Sequence, residues 1–501
     1  MLELKNLSLS LSLNDRKLIE NINYVLNPKD KTVIIGEEGN GKSTLLKLIY
    51  DARAIEGYCN YSGQIIKKGT MGYLPQMFPE DGLSASVAEY FADTEPSKHT
   101  KTISQMGLSL DFLASQQIIR TLSGGEKIKI QLAKILMRDP DILLLDEPTN
   151  DIDIATLEWL EAFINGVNKP IMFISHDETL IENTANTIIH IEQLMRKTAS
   201  KTTIVRMGYA KYVKTRNQAF DKQMMIAKKQ RADHKAQMDK WQQIYNRVEH
   251  EGRTIAKADR DGGGRLLKKK MKLVKCTGKR LDKQTDDFAD IPQMEEAILT
   301  QFNPEISIPQ GKTVLTLMLP GLFAGGRQLT GPIHFNVTGP QHVGIIGRNG
   351  VGKSTLLKEI WETMRNRADI NAAYMPQDYA DVLDYDKPVI GFLAADMHKN
   401  TITKVRTFLG SMKFTHDEML GDLSQLSGGQ KAKVLFLNMI LQKADVLILD
   451  EPTRNFSPLS APEIRKTLSA FGGAIISISH DRKYLSEVCE RVYELTTGGL
   501  K

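Results

Sequence analysis

The hydrophobic pattern changes period along the chain, and those changes predict the elements. The opening MLELKNLSLSLSL alternates apolar and polar residues, which predicts a strand with one face buried. Four short runs are apolar almost without a break: ILLLDE (142–147), IMFISH (171–176), VLILDE (446–451) and AIISISH (474–480). Their length and β-branched content predict strands covered on both faces, as in a mostly parallel sheet packed between helices. Helical spacing appears in TLLKLIY after Ser43 and in TLLKEIW after Ser354. The same succession therefore occurs twice, in 1–205 and in 305–501, and the predicted fold class is α/β with two tandem units.

The segment between the units follows a different pattern. Residues 209–249 contain no Pro and no Gly and are rich in Lys, Gln, Ala and Met. They predict a helix of about 40 residues, roughly 60 Å long. Residues 250–264 (HEGRTIAKADRDGGG) interrupt the helical pattern, and 265–284 resume it, with Gly278 as a weak point. Pro292 marks the boundary before the second unit. Aliphatic residues are too sparse for a further core, so 206–304 reads as an antiparallel helical hairpin with a flexible tip near 245–265.

Charge singles out the same segment. The net charge is only +6, but residues 208–284 hold 22 Lys and Arg against 8 Asp and Glu, an excess of 14. The rest of the chain is then near −8, an acidic body with a cationic projection. One-sided charge of this kind suits a phosphate-backbone partner; the alternative is a solvated spacer with no binding role. No apolar run reaches 18 residues and the N-terminus lacks a basic-then-apolar leader, so a cytoplasmic protein with no membrane association is expected. Cys59, Cys276 and Cys489 are far apart, with neither a metal-like spacing nor a CxxC pair.

Each unit carries a loop of the form GxxxxGKS, GEEGNGKST in the first and GRNGVGKST in the second. Gly36, Gly39 and Gly41, and again Gly347, Gly350 and Gly352, allow backbone N–H groups to turn inward around phosphates. Lys42 and Lys353 would reach the β- and γ-phosphates. Ser43 and Ser354 would ligate Mg²⁺, with Thr44 and Thr355 beside them at the start of a helix. Asp146 and Asp450 end apolar strands, where a carboxylate holds Mg²⁺ directly or through water. Glu147 and Glu451 are placed to activate the attacking water, and Gln76 and Gln377 to complete the metal shell. His176 and His480, 29 residues after each glutamate, would hold the water in line. Glu37 and Glu38 are unexpected beside a polyphosphate: either they point outward or they weaken the first site.

LSGGE (Ser123, Gly124, Gly125) and LSGGQ (Ser427, Gly428, Gly429), just before each Asp-Glu strand, resemble the signature sequence of ATP-binding-cassette ATPases. The resemblance covers about 400 of 501 residues and implies two P-loop cassettes joined by the helical hairpin, with ATP and Mg²⁺ as cofactors. It implies a monomer whose cassettes form an intramolecular head-to-tail sandwich. One site would combine Lys42, Gln76, Glu147 and His176 with Ser427–Gly429, the other Lys353, Gln377, Glu451 and His480 with Ser123–Gly125. Two departures stand out. The aromatic that usually stacks on adenine falls at Leu13 and Ala324, with Phe323 a substitute in the second copy. Asp153 of NDID becomes Ser457 in the second copy, so the two sites are expected to hydrolyse unequally.

Two fused cassettes, no membrane segment and a long basic linker resemble the ABC-F class of translation factors. That resemblance implies binding of the 70S ribosome in its E site, with the linker reaching past the P-site tRNA toward the 23S rRNA of the peptidyl-transferase centre. Lys268, Lys269, Lys270, Lys272, Lys275, Lys279 and Arg280 would meet phosphates. Trp241 and Tyr245 would stack on bases or staple the two helices together. Only about 45 residues separate Gln76 from Ser123 and only 21 follow His480, so neither an extra helical arm nor a long C-terminal extension is expected. PTRNFSPLS (452–460) resembles the Lsa- and Vga-like resistance factors, which implies protection against lincosamides, streptogramin A and pleuromutilins. A housekeeping ABC-F factor is the alternative, and the ATPase subunit of an exporter a more distant one.

Overall fold

The structure is a computed structural model of the chain that describes all residues except 14, 195–196, 256–262, 286–287, 293–301 and 303–304. Met1–Tyr209 with Glu295–Lys501 form one compact unit, and Ala210–Met294 form a second.

The first unit holds both cassettes, each built on a six-stranded sheet. In the first cassette the order is Met71–Leu74, Ile142–Asp146, Ile171–Ile174, Lys31–Ile35, Thr187–Leu194 and Ala199–Val205. The second repeats it with Ala372–Met375, Val446–Asp450, Ala474–Ile478, His342–Ile346, Arg491–Thr496 and Gly499–Leu500. In both sheets only the last pair is antiparallel. The unbroken apolar runs lie at the sheet centres, where every residue of Ile142–Asp146 and of Val446–Asp450 is buried. The alternating N-terminal run instead joins Lys17–Leu26 and Cys59–Lys67 in an antiparallel sheet, with Leu2, Leu4, Leu7 and Leu9 turned into the core. Its counterpart in the second cassette has two strands, Thr313–Leu319 and Ile333–Thr338.

The second unit is an antiparallel pair of helices, Tyr209–Ile255 and Gly263–Gln284. On the long helix Ala227, Arg231, His234, Met238, Trp241, Tyr245 and Val248 recur at three- and four-residue spacing and are wholly or partly buried. Met271, Val274, Gly278 and Leu281 answer them from the short helix, giving a coiled-coil seam. Helix extends further than the sequence pattern suggested, through His250 to Ile255. The Arg253–Glu249 pair at 2.9 Å supports that last turn against the cost of Gly252. Gly278 does not break its helix either. A Cβ there would lie 2.7 Å from the Trp241 indole, so the glycine is the hole into which that ring packs. The Trp241 N–H donates to the Val274 carbonyl at 2.8 Å, and Tyr245 tilts against the indole at 5.3 Å. Trp241 therefore staples the helices. The tip expected near 245–265 falls partly on 256–262, outside the described residues.

Candidate functional sites at the cassette interfaces

The two phosphate loops have nearly the same backbone. Gly36, Gly39 and Gly41 have φ of 149°, 80° and 88°, and Gly347, Gly350 and Gly352 have 151°, 77° and 106°. The first glycine of each loop is irreplaceable on space as well as conformation. A Cβ on Gly36 would lie 2.3 Å from the Ile191 carbonyl oxygen, and one on Gly347 2.5 Å from that of Leu495. Each loop runs into a helix, Lys42–Tyr50 or Lys353–Met364, that has no side-chain N-cap, so its first N–H groups face the loop. Lys42 Nζ donates to the carbonyls of Gly36 and Glu37 at 2.8 and 3.0 Å. Lys353 does the same with Gly347 and Arg348 at 2.8 and 3.1 Å. Thr44 hydrogen-bonds Tyr58, and Thr355 lines the second interface.

The carboxylates meet the loops from the sheet centres. Ser43 Oγ donates to Asp146 at 2.8 Å, and Ser354 bonds Asp450 in the same way. Glu147 and Glu451, one residue on, sit at φ of 50° and 51°, a left-handed conformation costly for glutamate. Their electrostatics differ. Glu147 Oε1 lies 2.9 Å from His176 Nε2. Burial would raise its carboxyl, but His176 and then Lys42 outweigh burial and hold it below the ordinary range. Glu451 lies 3.8 Å from His480, and burial followed by the Asp450 charge pushes it up to about 8. Burial and then Lys353 push His480 down to about 4. Chemically equal residues thus hold an ionised glutamate beside histidine in the first cassette and an uncharged glutamate–histidine pair in the second.

The signature serines begin helices. Ser123 and Ser427 each accept from the N–H three residues on, Glu126 or Gln430, whose side chain returns the bond to the serine N–H. LSGGE and LSGGQ therefore contain capping boxes, which the Ser-x-x-Glu/Gln spacing signals in the sequence. These helix starts face the opposite cassette, as the head-to-tail arrangement requires. The Gly429 N–H donates to Glu38, and His176 Nδ1 lies 2.8 Å from the Phe456 carbonyl oxygen. At the other interface Asn349 Nδ2 donates to the Asp151 carbonyl at 2.6 Å, and Arg454 pairs with the Asp151 carboxylate at 3.0 Å. An ion network centred on one buried pair also ties the cassettes. Arg465 binds Glu178 at 2.7 Å, Lys483 binds Glu178 and Glu182, and Arg482 binds Glu161. Nothing in the local sequence marked these partners.

A cavity of about 570 Å³ at the second interface brings Lys353, Ser354, Gln377, Glu451 and His480 together with Gly124. Gln377 reaches Asp151 there at 3.4 Å, whereas Gln76 is exposed. Ala324 and Leu329 form an apolar wall of the same cavity, Phe323 is exposed, and Leu13 is 97% exposed. The donor set fits a magnesium nucleotide. Backbone amides and a lysine face the phosphates, while one carboxylate, a hydroxyl and an amide offer oxygen ligands to a hard cation that keeps several waters. Orphaned buried atoms point the same way, since Glu147 Oε2, Asp450 Oδ2 and His480 Nδ1 have no protein partner.

A family model described as ABC transporter matches residues 19–150 and 330–454, which spans both phosphate loops and both Asp-Glu strands. The chain is similar to the putative ATP-binding protein YdiF of Bacillus subtilis (strain 168), with 26% identity over 98% of this chain and 80% of that protein. It is similar to the ribosome protection protein VmlR of the same organism, with 28% identity over 99% of this chain and 87% of that one. Among solved structures, the complex of archaeal ribosomal stalk protein aP1 with the archaeal ribosome recycling factor aABCE1 matches with a TM-score of 0.59. That match has 16% identity and covers 99% of this chain and 89% of that one, a likeness of fold. Among the described residues, no helix is long and apolar enough to cross a membrane.

Proposed function

We propose, from the premise that the chain belongs to the ATP-binding-cassette family of ATPases, that it is an ABC-F factor acting on the ribosome. In this reading the body binds the E site of the 70S ribosome, and the hairpin tip lies near the peptidyl-transferase centre, beside 23S rRNA and P-site tRNA. There it confers resistance to antibiotics of the lincosamide, streptogramin A and pleuromutilin class. The cationic hairpin carries the proposal. Lys268, Lys269, Lys270, Lys272, Lys275, Lys279 and Arg280 are all exposed on a helix whose other face is taken up by the seam. A cation row on a stapled coiled coil suits a channel walled by nucleic acid. The similarity to VmlR, named as a ribosome protection protein, supports the resistance branch. The similarity to YdiF supports a housekeeping factor as the second reading.

The geometry of the site supports the following chemistry. Lys353 and the loop amides bind the polyphosphate, and Lys42 does so in the first cassette. Ser43, Asp146 and Gln76, or Ser354, Asp450 and Gln377, would hold Mg²⁺, which when bound screens the phosphate charge. Glu451, in its ionised form, would take the proton of the attacking water. His480, neutral and unpaired at Nδ1, orients the water. Closing the interfaces would fix the hairpin on the ribosome, and hydrolysis would release it. The proposed site of action is the cytoplasm.

The test is a resistance profile in a susceptible Gram-positive host expressing the chain. Raised inhibitory concentrations for the three drug classes, lost when 256–262 are deleted, are expected. Unchanged values for all three would leave the housekeeping reading.

A further inference from the structure

The two interfaces differ at the two positions between the first and second loop glycines. In the second cassette these are Arg348 and Asn349; in the first they are Glu37 and Glu38. Neither glutamate points outward. The Glu38 carboxylate accepts from the Gly429 N–H at 2.5 Å and packs within 3.4 Å of the Cβ positions of both signature glycines, Gly428 and Gly429. Glu37 crosses beside it and accepts from the hydroxyls of Ser457, at 2.6 Å, and Ser460. The buried Lys433 ammonium, on the same signature helix, lies 3.6 Å from the other Glu37 oxygen. Burial alone would raise the Glu37 carboxyl, but Lys433 and then the two hydroxyls hold it down, so it crosses the interface as an anion.

The partner residues are matched to this arrangement. Asp153 and Thr156 occupy the positions of Ser457 and Ser460 in the first cassette, and there Asp153 is satisfied locally by the Thr156 N–H and hydroxyl. The second cassette has hydroxyls at both positions, and its carboxylate comes instead from the opposite phosphate loop. At the second interface the space between the signature glycine Gly124 and the loop residues Lys353 and Ser354 is a cavity. At the first interface the loop carboxylates cross instead to the Gly429 N–H and to Ser457, Ser460 and Lys433. An anion between a helix N-terminus and a cationic loop is the arrangement a terminal phosphate would adopt.

We infer that Glu37 and Glu38 take the place of the nucleotide's γ-phosphate at the first interface, making it a protein-built latch that excludes triphosphate. Nucleotide held there is a diphosphate, and hydrolysis belongs to the second interface. Carboxylates in that position repel a γ-phosphate and already satisfy the donors it would use. This rests on the reading that both interfaces bind nucleotide, and it deepens it.

The experiment counts nucleotides and requires no turnover. The Glu147→Gln/Glu451→Gln chain is loaded with ATP and Mg²⁺, freed of excess, denatured, and its ATP and ADP measured per chain. One ATP per chain is expected, rising to two when Glu37→Arg/Glu38→Asn copies the second loop into the first. Two ATP in the unaltered loop, or one in both, would overturn the inference. Should the arginine variant fail to fold, Glu37→Gln/Glu38→Gln keeps the shape, removes only the charges, and carries the same expectation. No ATP in any of these chains would overturn the nucleotide reading as well. No ribosome is present, so the count stands apart from whether the chain binds one.

Discussion

Replacing Gly278 by alanine should destabilise the hairpin in the parent chain and stabilise it once Trp241 is removed. Alanine in a helix interior is favoured over glycine by roughly 0.5–1 kcal/mol. Against that gain, the new Cβ would sit 2.7, 2.9 and 3.1 Å from three atoms of the indole ring, which is rigid and tethered by its bond to Val274. Displacing such a ring costs about 1–3 kcal/mol by overpacking, and losing the indole hydrogen bond about 1 kcal/mol more. The net effect in the parent is a loss of about 1–3 kcal/mol. In a Trp241→Ala chain the obstruction is gone and only the propensity gain remains. The sign therefore reverses, a coupling of about 2–4 kcal/mol between two touching residues. Native-state amide hydrogen exchange across Ala210–Met294 measures it in the four chains of the cycle. A stabilising Gly278→Ala in the parent, or equal effects in both backgrounds, would refute the staple.

The cassette interface makes a second prediction. Arg465→Ala leaves the buried Glu178 with only the partly exposed Lys483 and should cost about 3 kcal/mol in thermal unfolding, whereas Arg465→Met/Glu178→Met should cost less, because both partners of the buried pair are removed together. Lys31 supplies a pH dependence. Burial lowers its pKa to about 8, so its folded state binds fewer protons than the unfolded chain between about 8 and 10.5. The penalty is full below that window and is relieved as pH rises through it. The melting temperature of the parent relative to Lys31→Gln should therefore climb from pH 7.5 to 9.5, and a flat difference would contradict the assignment. Gly36→Ala should abolish nucleotide binding at the first loop and lower stability, since its Cβ meets a backbone carbonyl that cannot yield. Gly166→Ala, with open space around it, is the neutral control.

What the sequence disclosed and what it hid divide along contiguity. The loops, the Asp-Glu strands and the strand-end histidines could be read because each packs its chemistry into fewer than ten neighbouring residues with a fixed hydrophobic context. The parallel sheets could be read for the same reason, their central strands being apolar on both faces. Glu37 could be seen to be odd but not explained, because its hydroxyl partners lie 420 and 423 residues away. Gly278 looked like a weak point because propensity treats a helix as isolated; the Trp241 ring that needs the gap lies on the other helix. Leu13, placed by register near the base of a nucleotide, proved exposed. The ion network of Arg465, Lys483 and Glu178 consists of surface-type residues that only the docking of two cassettes buries.

In the proposed function the cationic hairpin docks on nucleic acid when the cassettes close. The most direct measurement is co-sedimentation of the Glu147→Gln/Glu451→Gln chain with 70S ribosomes over a salt series. Recovery in the ribosome pellet should fall steeply with salt. Replacing Lys268, Lys269, Lys272 and Lys275 by glutamine should reduce the log–log slope by about 3, since each phosphate contact contributes about 0.7–0.9. A slope unchanged by losing those four charges, or recovery only with membranes, would contradict it.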